Sequence, residues 1–140
     1  MSALVLVLGL RLLYPDSALL DAIKAQESGG QWLARNGSHI GAYQVSKRAT
    51  KVPWPLLYLE PIGRLEAARI LYRFRRAAGG DVYRALEGYR HGYVGVRGET
   101  DGKYAHCVLT RTRMKVSVCK AVELVYDSRV LREEAQRMFP

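Results

Sequence analysis

The sequence predicts a mainly α domain with a small irregular or β segment, and three observations carry that prediction. Runs of helix formers with one apolar face recur at residues 18–27, 63–78, 82–90 and 121–138. Glycine pairs punctuate the first two, at Gly29-Gly30 and Gly79-Gly80. Residues 31–45 lack helical periodicity and hold Asn36-Gly37, a dipeptide typical of tight hairpins. At 140 residues, 49% hydrophobic and 25% charged, the chain can bury one core without a disulfide or metal. No repeat, low-complexity tract or linker divides it, so residues 1–140 are expected to form a single domain.

The elements follow in order. Met1–Leu13 reads MSALVLVLGLRLL, shorter than the ~20 apolar residues of a membrane span and interrupted by Arg11. It lacks the basic start and small-residue cleavage site of a secretory signal, so a buried helix or strand is expected in preference to a membrane-surface helix. Asp16 or Ser17 caps a helix over Ala18–Glu27, whose apolar residues at 19, 20, 22, 23 and 25 form one broad face. Ser28-Gly29-Gly30 stops it and leaves Glu27 in its last turn. Residues 31–45 are read as loop with a small hairpin, and Ser46–Thr50 as a helical turn cut by Pro53 and Pro55.

Gly63–Ala78 is expected as a long helix with Leu65, Ala68, Leu71 and Tyr72 inward and its arginines mostly outward. Asp81 caps a further helix, Val82–Arg90, closed by Gly92. Gly95–Lys103 is loop, the alternation within Tyr104–Val118 suggests strand, and Ala121–Met138 reads as helix with a solvated face near Leu131–Arg137.

The net charge of +9 attracts polyanions, among them nucleic acid, anionic lipid and cell-wall polymers. No alternation of aromatic and basic residues forms a stacking platform, so no specific nucleic-acid partner is expected. Walker, GxGxxG, HExxH and GxSxG motifs are absent, and His39, His91, His106 and the cysteines have no metal-ligand spacing, so no cofactor or metal is expected. Cys107 and Cys119 are read as two partly buried thiols, with pairing open in an oxidising compartment. One carboxyl stands apart. At a helix C-terminus Glu27 meets the negative end of the macrodipole, and apolar neighbours would add to its preference for the protonated form. That is the state a general acid needs, although many helix-end glutamates are simply solvated.

Three blocks, in order, resemble the soluble lytic transglycosylase and goose-type lysozyme group of peptidoglycan-cleaving domains. LLDAIKAQESGG, residues 19–30, is similar to the helix ending in that family's Glu-Ser-Gly. The resemblance gives Glu27 the catalytic acid/base role and Ser28 a part in holding the acid or substrate. GAYQVSKRAT, residues 41–50, looks like the Gly-Leu-Met-Gln block of the glycan cleft, which makes Tyr43 and Gln44 substrate-binding. Residues 65–92 resemble the family's helix pair and Ala-Tyr-Asn-Ala-Gly block, which sets Tyr89 toward the acid. Tyr104 resembles a later tyrosine of some members. The likeness is strongest over residues 17–95 and implies a lysozyme-like α+β fold.

The resemblance also implies a reaction and a setting. The β-1,4 bond between N-acetylmuramic acid and N-acetylglucosamine would be cleaved with help from the substrate's own acetamide, because no motif supplies a second carboxylate; Glu60, Glu66, Glu99 and Asp101 fall in regions of uncertain placement. A 1,6-anhydro product and a muramidase-type hydrolytic product both remain open, as does an inactive wall-binding or virion structural module. The family pattern is departed from at Tyr43, where an apolar residue is usual, and at Arg90-His91, which replace Asn-Ala. Arg90 is read as solvated, or as a partner for a peptide-stem carboxylate. Bacterial peptidoglycan is the expected partner, together with other proteins of a phage virion or secretion apparatus that delivers the domain to the wall.

Overall fold

The computed structural model describes residues 17–114, 132, 133, 135–137 and 139, and over these the chain is mainly helical with one small antiparallel sheet. Helix α1 (Ser17–Ser28) forms within a residue of its expected bounds and buries Leu19, Leu20, Ala22 and Ile23. Gly29 and Gly30 stop it at φ 63° and 87°, and the Gly29 N–H returns to the Ala25 carbonyl at 2.9 Å. The hairpin follows as expected: β1 (Arg35–Asn36) pairs with β2 (His39–Ile40) across Gly37-Ser38, with Gly37 at φ 59°. A third strand, β3 (Val45–Ser46), completes the sheet in the order β1-β2-β3.

The helical turn expected at Ser46–Thr50 is an ordinary turn instead. Winding begins later, in a 3-10 helix at Trp54–Tyr58 that accommodates Pro55 in its first turn and buries Leu57. Helix α2 (Glu60–Ala77) starts three residues before Gly63, because Pro61 in its first turn gives up an N–H that would have no helical partner. Its inward face also differs from the one expected. Gly63, Glu66, Ala67, Ala68, Ile70 and Leu71 are buried, whereas Leu65 and Tyr72 are 38% and 63% exposed. Small residues let α2 approach closely: a Cβ on Gly63 would lie 3.0 Å from the Leu57 carbonyl oxygen. Glu66 tolerates burial because Arg69 and the Thr50 hydroxyl both donate to its Oε2 at 2.7 Å.

Helix α3 (Val82–His91) matches its expected cap, with Asp81 accepting from the Arg84 N–H at 3.1 Å, and it ends at Gly92. A short α4 (Tyr93–Val96) takes part of the region read as loop and packs on α3. Helix α5 (Lys103–Met114) overturns the strand reading from Tyr104 to Met114; residues 115–118 lie outside the described residues. Every residue from Tyr104 to Thr110 is buried, since α5 lies against both α1 and α3, and burial all round erases helical periodicity.

The core joins α1, α2, α3 and α5 with Ile40, Tyr43, Val45 and Leu57. Ala135 and Phe139 add to it, and Arg75 Nη2 donates to the Phe139 carbonyl at 2.6 Å. Residues 132, 133 and 135–137 are helical, while Met1–Leu13 and most of the predicted helix Ala121–Met138 lie outside the described residues. Cys107 is disulfide-bonded, which corrects the reading of it as a thiol; Cys119 lies outside the described residues. Among the described residues no helix is long and apolar enough to cross a membrane.

Candidate active site

Because α1 ends where the glycine pair begins, its last turn is fixed, and Ser28 fixes it further. The Ser28 hydroxyl donates to the Ala42 carbonyl at 2.7 Å and accepts from the Gly30 N–H at 3.1 Å, tying the helix end to the chain after the hairpin. Gly41 makes that approach possible. Its φ is +79°, and a Cβ there would stand 2.5 Å from the Leu57 carbonyl oxygen. Ser28 therefore holds Glu27 through the backbone.

The Glu27 side chain is only 6% exposed. Burial raises its pKa above the ordinary carboxyl value, and it is the largest influence; the Tyr104 hydroxyl, the Arg90 guanidinium and His39 each lower it by less. Arg90 Nη1 lies 3.6 Å from Glu27 Oε2, close enough for attraction but beyond a good hydrogen bond. The Tyr104 hydroxyl is near enough for each group to shift the other's titration, yet it completes no hydrogen bond of good geometry. Burial first, and the Glu27 charge second, push the Tyr104 pKa well above its usual value, so the hydroxyl keeps its proton.

Tyr89 also feels the Glu27 charge, after the larger effect of its own burial. Its proton is committed elsewhere, in a 2.8 Å bond to the Tyr43 carbonyl. The structure thus brings Tyr89 and Tyr104 to Glu27, with Ser28 behind it. Tyr43 and Gln44 are placed differently. The Tyr43 ring is core, 1% exposed, and its hydroxyl donates to Glu60 Oε1 at 2.6 Å while accepting from Arg64 Nη1 at 2.9 Å. Only its backbone carbonyl faces Tyr89. Gln44 is buried, turns back to donate to the Gly41 carbonyl at 2.9 Å, and has a φ of 48°. A left-handed backbone in a residue other than glycine is strained, and the side-chain bond helps hold it.

The other carboxylates considered from sequence are engaged away from Glu27. Glu60 binds Tyr43 and Lys24, Glu66 binds Arg69 and Thr50, Glu99 pairs with Arg97, and Asp101 accepts from the Lys103 N–H. Among the described residues no group of three His, Cys, Asp or Glu side chains stands together as a metal site.

Three features escaped the sequence. His39, on β2, lies close enough to Glu27 to lower its pKa electrostatically, a proximity that the hairpin creates. Trp32 is 58% exposed on the link immediately after α1. Glu87, 2% exposed, accepts from the Ala105 N–H at 3.2 Å and the Thr100 hydroxyl at 3.1 Å, with His91 Nε2 at 3.5 Å, and so anchors the start of α5 next to Tyr104. One sequence signal did exist for Glu87: a carboxylate between Ala85-Leu86 and Gly88 on an otherwise apolar stretch.

No family model, curated protein or solved structure matches this chain.

Proposed function

We propose that this protein cleaves the glycan strands of bacterial peptidoglycan, with Glu27 as the single acid/base. The observation that carries the reading is the Glu27 carboxyl itself: nearly buried at a helix end, raised in pKa, and flanked by tyrosine hydroxyls and one guanidinium. Protonated Glu27 donates to the glycosidic oxygen between N-acetylmuramic acid and N-acetylglucosamine. The substrate's acetamide oxygen attacks the anomeric carbon as the bond breaks, which answers the absence of a second carboxylate near Glu27 among the groups described above. Ionised Glu27 then takes a proton from the sugar's own C6 hydroxyl, giving a 1,6-anhydro ring, or from water, giving a reducing end.

Exposed Trp32, so soon after the acid, offers an apolar face on which a sugar ring can stack. The Cys107 disulfide suits work in an oxidising compartment such as the periplasm, where a phage particle or secretion apparatus would deliver the domain. Mass spectrometry of soluble products from purified peptidoglycan tests the reading. Wild-type protein should release fragments and Glu27→Gln should not, a loss of at least ~100-fold. Anhydro ends identify a lytic transglycosylase and reducing ends a muramidase. Fragments from neither protein would overturn the reading in favour of a wall-binding module.

A further inference from the structure

Arg90 differs from the arginines that hold this fold together. Arg64, Arg69 and Arg132 each deliver guanidinium N–H groups to acceptors at 2.6–2.7 Å. Arg90 makes no hydrogen bond among the described residues; it reaches only to 3.6 Å from Glu27, and its side chain is 48% exposed. A second donor at the same site is also unused. The Tyr104 hydroxyl is buried beside Glu27 and completes no hydrogen bond of good geometry. A buried donor without a well-formed hydrogen bond is satisfied when a ligand oxygen reaches it.

The position of Arg90 poses a chemical question. A permanent cation beside a general acid favours the ionised carboxylate, the wrong state for protonating a leaving group. A neutral sugar would be served as well by an amide. The conflict disappears if the substrate brings an anion that occupies the guanidinium. In the glycan strand, the ionisable group nearest the cleaved bond is the lactyl carboxyl on O3 of the muramic acid whose anomeric carbon reacts. It is a free carboxylate only when the peptide stem has been removed; otherwise it is an amide.

We infer that Arg90 binds the free lactyl carboxylate of N-acetylmuramic acid, so that peptide-free glycan strands are the preferred substrate. The inference rests on the glycan-cleavage reading above. The planar guanidinium matches a carboxylate with two parallel N–H···O bonds, which its half-exposed position permits. Arg90 then no longer offsets the burial of Glu27, and the preference of the acid for its protonated form increases as the substrate seats. Upstream, a hydrolysis of the lactyl-peptide amide must supply the substrate.

The test measures kcat and KM on glycan strands before and after enzymatic removal of the stems, using wild type, Arg90→Gln and Arg90→Lys. For wild type, KM should be lower by about tenfold on the stem-free strands, the value of one charge-assisted contact. Arg90→Gln should lose that preference with its melting temperature unchanged, and Arg90→Lys should keep part of it through charge without the planar fork. A third substrate, stem-bearing strands with their stem carboxylates amidated, should behave like untreated stem-bearing strands. If amidation instead raises KM for wild type and not for Arg90→Gln, Arg90 reads stem carboxylates and the lactyl assignment is overturned. A preference that survives Arg90→Gln, or cleavage without preference, overturns it equally. Cleavage of no substrate by wild type overturns the glycan-cleavage reading itself, and the Arg90 assignment falls with it.

Discussion

Burial raises the pKa of Glu27 and makes its carboxyl a burden on the fold. Its pKa is raised in the folded protein above the unfolded value of 4.5, so between the two the native state binds the extra proton. This group therefore costs no stability below pH 4.5, and stability falls as pH rises from there through the folded pKa. Glu27→Gln keeps the shape and removes the charge. Its melting temperature should exceed that of wild type at pH 7 by about 3 °C, and the gap should close below pH 4.5. Arg90 does not reverse the sign, because a half-exposed partner at 3.6 Å is screened by water. Thermal scans at both pH values check this; a gap of equal size at each would show that the charge of Glu27 is not its cause. The sequence could show where this carboxyl stands along α1, because glycines and a helix period are local. It could not show that Arg90, 63 residues later, and His39 face it, since such proximity exists only once the chain has folded.

Among the elements, α1 and α3 were legible because each carries its own punctuation: Gly29-Gly30 for one, Asp81 and Gly92 for the other. Helix α5 was not. Its buried run has no polar face to reveal a period, and one acceptor at its start comes from Glu87 on another helix, 18 residues earlier. Glu87→Ala would leave the Ala105 N–H and the Thr100 hydroxyl without that acceptor. It should cost about 1–3 kcal/mol in chemical denaturation, whereas Glu87→Gln, which keeps an oxygen for the N–H, should cost less. The α3–α4 packing was hidden for a related reason. Gly88 and Gly95 look like helix breakers, yet they serve contact. A Cβ on Gly95 would run into the Glu87 carbonyl, and one on Gly88 would stand 2.7 Å from Val96 Cγ2. Gly95→Ala should therefore destabilise by roughly 2–3 kcal/mol, since backbone rather than a flexible side chain opposes it. Loss below ~0.5 kcal/mol would show that α4 can shift freely.

For the whole molecule, +9 is less a uniform property than the remainder after pairing. Asp21, Glu60, Glu66, Asp81 and Glu99 all face a lysine or arginine, whereas Arg48, Lys51 and Arg76 are exposed without an acidic partner among the described residues. The unpaired charge is thus exposed and basic, and under the proposed function it would hold the protein on an anionic wall without selecting a bond to cut. Attraction of this kind is screened over about 10 Å at 0.1 M salt and about 3 Å at 1 M. Binding of Glu27→Gln to purified walls should accordingly weaken by about tenfold or more from low to high salt, in parallel with wild type, although only wild type should release fragments. Cosedimentation across a salt series measures the first property and fragment release the second. Retention independent of salt would move the affinity from the basic surface to sugar contacts such as Trp32. Salt dependence in both proteins, with cleavage in one, would separate what the charge does for this molecule from what a single buried carboxyl does.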